Sequence, residues 1–327
     1  MIRLIGLELT RMRWRRAIVV LLAGCALVTV VIFAGTAWTT RPVSDAELRE
    51  AQEQVERELE QPYVQREIAR CEERPRRYGL QNPERCAERL GPRVEWFVSR
   101  EPLRVGEAFR VPGLGVITIL MGLLMLVGTT FAGADWNSGS MSNQLLFEPR
   151  RARIWLAKAV AVFAVAVTTS AVLLAGFGGG LALLAQSRDI EVPPEVPGWI
   201  VESAGRAVLV IGAAAVGAYA VTMLVRSTVF TLGAMFAVVV GATLILALIG
   251  VSEAWFPNKN LSAVIWNGST YYVEVPSVCY SGPRPPEGVD CKEFARLTLW
   301  TGVRNLGVLL AAAVAASVWA FRRRDVP

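Results

Sequence analysis

Histidine is absent from all 327 residues, so no step that needs an imidazole base, proton shuttle or metal ligand runs on this chain. Lysine is nearly absent: of 34 basic residues, only Lys158, Lys259 and Lys292 are lysine. Charge is scarce overall, at 19% of residues against roughly 25% in soluble domains. No G-x-x-x-x-G-K-S/T, H-E-x-x-H, G-x-S-x-G or C-x-x-C run occurs, which removes the phosphate-binding loop, the zinc-protease helix and the nucleophile elbow. What is plentiful is apolar: 53% of residues are hydrophobic and mean hydropathy is +0.41. That balance excludes a disordered or fibrous chain and points to the membrane.

Six apolar stretches are long enough to cross a bilayer, which takes about 20 residues each. They are 17–38, 114–134, 154–185, 207–225, 229–251 and 298–321. Only Arg226, Ser227 and Thr228 separate the fourth from the fifth, so these two read as a helical hairpin. The first stretch is too long for a cleaved signal peptide and reads as a retained anchor. The fold class expected is therefore an all-α polytopic membrane protein with six transmembrane helices and two disulfide-stapled extracytoplasmic segments.

Orientation follows from arginine bias in the short loops. Residues 1–16 carry five arginines against Glu8; Arg150, Arg151 and Arg153, with Lys158 just inside the next helix, follow the second stretch; Arg322, Arg323 and Arg324 sit in the tail 322–327. With six spans all three groups fall on one side, whereas the short loop 186–206 on the other is rich in acids. Both termini are thus expected in the cytoplasm of a plasma-membrane protein. The same distribution explains the net charge of +6 without a nucleic-acid groove. Trp14, Trp38, Trp136, Trp155, Trp255, Trp300 and Trp319 lie near span ends, where indole prefers the headgroup layer.

Two segments lie outside. Segment 39–110 holds 15 acidic and 14 basic residues and reads as a small helical cap. Ser44 and Glu47 form a capping-box pattern. Leu48, Ala51, Val55 and Leu59 follow at helical spacing, and Pro62 interrupts that helix. A second helix is expected over 63–73 and a third from Asn82, with Pro83 at its first position, to Gly91. Segment 252–297 is richer in Pro, Gly and aromatics; Val273 and Val275 allow a short strand, and part of it can dip back into the bilayer. Cys71 and Cys86 fall in the first segment and Cys279 and Cys291 in the second, with Cys25 inside the first span. Four cysteines allow three pairings; the near pairs are favoured, because Cys71 and Cys86 fall on successive short helices and Cys279–Cys291 closes a Pro/Gly loop, and staples suit segments with little core.

Within the spans, Arg304 beside Asn305 is either an arginine snorkelling to the outer headgroups or a contact on a substrate path. Gly176, Gly178, Gly179 and Gly180 permit close helix approach or a break. The inner segment 135–153 is the most informative. Asp135 and Gly139 precede Ser140, Met141, Leu145 and Leu146 in a short amphipathic stretch, Glu148 and Pro149 end it, and Arg150 and Arg151 lead into the third span.

This loop, with the six-span pattern, resembles type-2 ATP-binding-cassette permeases. Those often carry an acidic residue, Gly-Thr, Leu-Leu, and then Pro before an arginine pair. Asp135 stands where Glu is common and Ser140 where Thr is common, and the Leu-Leu-Phe-Glu-Pro-Arg-Arg run looks like actinobacterial members. The resemblance covers the chain apart from the cap. It implies a transport subunit that performs no bond chemistry and has no catalytic residue, no metal and no cofactor of its own. ATP and Mg would be held by a partner ABC ATPase subunit, and a second permease subunit, identical or different, would complete the path. Asp135, Gly139, Ser140, Met141, Leu145, Leu146, Glu148, Pro149, Arg150 and Arg151 would then couple to the ATPase, and residues 1–16 would form an interfacial elbow on membrane lipid. Export of a lipophilic or amphipathic substrate is the expected task. The alternative from another class is a membrane-anchored sensor or assembly factor that binds its partner through the outer cap.

Overall fold

The computed structural model describes residues 1–98, 100, 102–237, 241–280 and 291–323. The amino-terminal part runs α1 (Ile2–Trp14), α2 (Arg16–Thr39), α3 (Asp45–Leu59), α4 (Pro62–Glu73), α5 (Arg85–Leu90), α6 (Val94–Phe97) and α7 (Val105–Arg110). The central part is α8 (Pro112–Asn137), α9 (Ser140–Phe147), α10 (Arg151–Ser187) and α11 (Glu195–Val225). Then come α12 (Thr228–Phe236), α13 (Ala242–Leu248), α14 (Pro257–Ile265) and α15 (Leu299–Arg323).

Five units among the described residues are long and apolar enough to cross a membrane: α2, α7–α8, α10, α11 and α15. The chain is accordingly a membrane protein. The expected fifth span, 229–251, is represented by α12 and α13, of nine and seven residues. Residues 238–240 between them lie outside the described residues, and neither piece alone reaches the roughly 20 residues a crossing needs. The tail 324–327, with Arg324, also lies outside them.

Helices α8, α10 and α11 form the centre of the bundle, with α2 against α8 and α15 against α11. The α8–α11 approach depends on Gly128, where a Cβ would stand 2.5 Å from the Ala215 carbonyl. Leu120, Leu124, Phe131, Phe177, Ile211 and Tyr219 are fully buried in this core. The outward faces remain apolar, with Val19, Val20, Leu27, Val308 and Leu309 exposed. Such a surface suits hydrocarbon as solvent, since in lipid the helices satisfy their own backbone groups.

Several helices overrun the apolar stretches. α11 begins at Glu195, twelve residues before Ala207, and α10 has 37 residues. At 1.5 Å per residue α10 is about 55 Å long, beyond the roughly 30 Å hydrocarbon core. Backbone hydrogen bonding continues into the polar layers, whereas hydropathy registers only the apolar stretch. α10 is unbroken through its glycines, and Gly180 lies against Phe33, whose ring atoms would sit 2.8 Å from a Cβ there.

The cap follows its local signals. Ser44 and Glu47 form a complete capping box at α3, and α4 starts with Pro62 at its first turn. The third helix starts at Arg85, later than Asn82–Pro83 indicated. Cys71 is bonded to Cys86 between α4 and α5. Val64 and Ile68 are buried beside them in a cluster separate from the bundle core.

An antiparallel two-stranded sheet, β1 (Ser269–Tyr272) with β2 (Phe294–Leu297), departs from the all-α expectation. The strand ends one residue before Val273, although the Val273 N–H still donates to Glu293 O at 2.8 Å. Cys279 is bonded to Cys291, and Cys25 is buried and unpaired. α14 packs against α15 and α11. Trp199 and Trp266 stack at 5.3 Å at that end of the bundle.

The tryptophan belt holds only in part. Trp14, Trp38, Trp255, Trp300 and Trp319 are exposed. Trp155 is 4% exposed, and its indole N–H donates to Ser317 Oγ at 3.1 Å. A buried indole needs such an acceptor, and α15 supplies one. Trp136 packs edge-on against Phe321 at 6.1 Å, with the Arg226 guanidinium 4.5 Å from its ring centroid.

Candidate functional site

The site is built at the end of the bundle where α8 stops. Gly139 turns the chain there in the left-handed conformation, at φ 67°, which glycine adopts without a Cβ penalty. α9 follows as eight residues, and extended Glu148 with Pro149 ends it before α10. Proline restricts the residue before it to extended backbone, so the helix stops there.

Two turns of helix cannot hold themselves in water, so α9 is held by its neighbours. Met141 is buried, and Leu145 is half-buried against the bundle core. Leu146 and Phe147 are 81% and 92% exposed. The resemblance places Leu145 and Leu146 together among the coupling residues. Consecutive helical residues point about 100° apart, and the structure turns Leu145 inward and leaves Leu146 with Phe147 outside. A groove of about 370 Å³ between α1 and α9 is walled by Leu4, Leu7, Phe147 and Ile154.

The polar members are distributed unevenly. Glu148 Oε2 lies 3.8 Å from Arg153, and its other oxygen accepts from the Arg150 backbone N–H at 3.3 Å. Arg151 donates to Phe321 O at 3.4 Å, linking α10 to the end of α15. Pro149 and Arg150 are exposed. Asp135 is fully buried, which separates it from the exposed surface of α9. Its Oδ1 accepts from Ser140 Oγ at 2.8 Å and from the Arg15 guanidinium, and its Oδ2 accepts from Lys158 Nζ.

Lys158 and Glu8 complete a charge cluster that the sequence reading did not assemble. Lys158 has no exposed surface and also donates to Glu8 Oε2 at 2.9 Å. Arg11 lies 3.5 Å from the other oxygen of Glu8. Arg15 donates to Phe131 O at 3.1 Å, and Lys158 and Arg15 stand 4.9 and 5.3 Å from the Phe131 ring centroid. By loop charge alone Lys158 reads as one more inner-side cation. Its signals were slight: one of three lysines in an arginine-rich chain, and Glu8 as the lone acid among the first sixteen residues. Glu8 also lies on the inward seam of α1 with Leu9 and Met12. Ile2, at the start of the same helix, is exposed.

The candidates in the last span lie elsewhere. Asn305 donates to Asn260 Oδ1 at 3.0 Å, and Asn260 donates to the carbonyls of Ala254 and Phe256. Asn305 thereby seats α14 on α15. Arg304 is exposed, and its Nε donates to Asn305 Oδ1 at 3.4 Å.

Asp135 and Lys158 are closed off from solvent, while Glu8 and Arg11 also line the groove between α1 and α9. The charge cluster joins α1, α8, α9 and α10 at one point and leaves a small apolar knob outside. No protein-family model, curated protein or solved structure matches the chain.

Proposed function

We propose that the chain is the membrane-spanning permease subunit of an ATP-binding-cassette exporter, with both termini and α9 in the cytoplasm. The observation that carries this reading is α9 itself: a two-turn helix fastened to the bundle by Met141 and Asp135, with Leu146 and Phe147 projecting beyond it. A fastened knob of this kind can transmit a push from a separate ATPase subunit into α8 and α10. Burying a leucine or phenylalanine side chain in a partner's socket is worth roughly 1.5–3 kcal/mol; the flanking exposed charges contribute less. The basic residues of α1, of the 150–153 segment and of the α15 end support the orientation. In this reading α12 and α13 belong to a sixth crossing, and two such chains, identical or different, surround the substrate path. Spans with few charges suit a lipophilic or amphipathic substrate, and Arg304, near the start of α15, is a cation available to meet one.

The test is co-purification in mild detergent with identification by mass spectrometry. A stoichiometric ABC ATPase is the expected partner, and its absence, with a different soluble partner held through segment 39–110, would favour the sensor or assembly-factor reading. One observation favours that second reading: the cap has its own disulfide and apolar cluster.

A further inference from the structure

We propose that Lys158 is a positioning residue that ties the coupling helix α9 to the amino-terminal helix α1, so that a push on α9 moves both. The proposal rests on the permease reading for the push and on the geometry of the buried cluster for the tie. The Lys158 ammonium has three donors and uses them across elements: one to Glu8 of α1 at 2.9 Å and one to Asp135 of α8. Asp135 in turn accepts from Ser140 at the first position of α9, at 2.8 Å, and from Arg15 directly after α1.

Apolar contacts such as those of Met141 are non-directional and tolerate sliding. Charge-assisted hydrogen bonds are directional and strong where water is excluded. Separating α1 from α9 would leave a buried carboxylate or ammonium uncompensated, the costly way to break such a cluster. Joint movement keeps every partner, so it is the favoured response to a push. Lys158 is the group through which Glu8 reaches Asp135.

The experiment compares amide hydrogen exchange in the full chain with its co-purified ATPase, with and without ATP and vanadate. Glu8→Gln combined with Lys158→Met removes one charge of each sign and leaves Asp135 with Arg15 and Ser140. Glu8→Leu alone, which removes the acceptor and leaves Lys158 with Asp135, is the second variant if the double one does not fold. In both, α1 amides are expected to exchange roughly tenfold faster, the scale of one lost buried charged link, while α8 and α11 keep wild-type protection. The ATP-dependent change in α9 should persist and that in α1 should diminish, since Arg15 still links the end of α1 to Asp135. A residue that only stabilised the fold would raise exchange in α8 and α10 as well. Wild-type protection of α1, or an undiminished ATP response there, would overturn the tie. If the wild-type chain retains no ATPase, the permease reading fails, and basal exchange of α1 still decides the tie alone.

Discussion

Replacing Cys71 and Cys86 by alanine is expected to open the outer helical segment and leave the bundle closed. The bond closes a loop of 15 residues, which in the chain-entropy account stabilises by about 3 kcal/mol. Among the described residues, the cluster around it has only Val64 and Ile68 as further buried members, with Leu59, Tyr78, Leu80 and Leu90 at its margin. Each buried aliphatic side chain is worth roughly 1.5–3 kcal/mol, so the bond equals one or two of the cluster's own members. Where opening is fast, protease cleavage tracks the open population, and 3 kcal/mol corresponds to an increase of up to about a hundredfold. Trypsin should cut at Arg70, Arg76 and Arg77 faster by up to that factor, with α8 and α11 intact. The bundle is spared because its core shares no buried residue with the cap cluster. Cleavage within about twofold of wild type, or bundle and cap unfolding together, would refute this reasoning.

If the proposed permease function holds, Leu146→Ser with Phe147→Ser should lower the ATPase recovered per chain while leaving thermal stability unchanged, whereas Leu145→Ser should lower stability first; equal recovery from both variants would remove α9 as the docking element. Gly128→Val should destabilise the α8–α11 contact by at least about 1–3 kcal/mol, because added methyl groups have no room beside the Ala215 carbonyl, and an unchanged melting temperature in detergent would contradict that packing. Hydrogen bonds from the Ser44 backbone and hydroxyl, and then the nearby Arg100 and Arg41 charges, hold Glu47 below its ordinary value of 4.5. A depressed carboxylate pKa stabilises the folded form above the ordinary value, and this contribution is lost as pH falls through the folded one. A carboxyl NMR titration of the intact chain should therefore give a midpoint below 4.5 that Ser44→Ala raises more than Arg100→Ala; the reverse order would show the cap bond to be secondary.

Local chemistry made much of this legible in sequence. The Ser44–Glu47 box, the proline at the start of α4, the short turn of Arg226 and Ser227 and the near pairing of the cysteines all involve residues within about fifteen positions of one another. Such features depend on backbone geometry and short loop closure, and these act before the tertiary fold exists. The apolar runs likewise fixed which stretches seek lipid, since hydropathy is a property of composition. Inner and outer faces of α9 could not be read that way, because Leu145 and Leu146 are chemically identical and only the position of the bundle distinguishes them. Trp155 showed the same limit, as its partner Ser317 lies 162 positions away. The charge cluster was least visible of all. Glu8, Asp135 and Lys158 are each unremarkable in their own segments, and 150 positions separate the first from the last. What tertiary structure decided was their shared burial: once packing excludes water, each charge must find its opposite, and only the folded arrangement of α1, α8 and α10 brings those opposites within hydrogen-bonding distance.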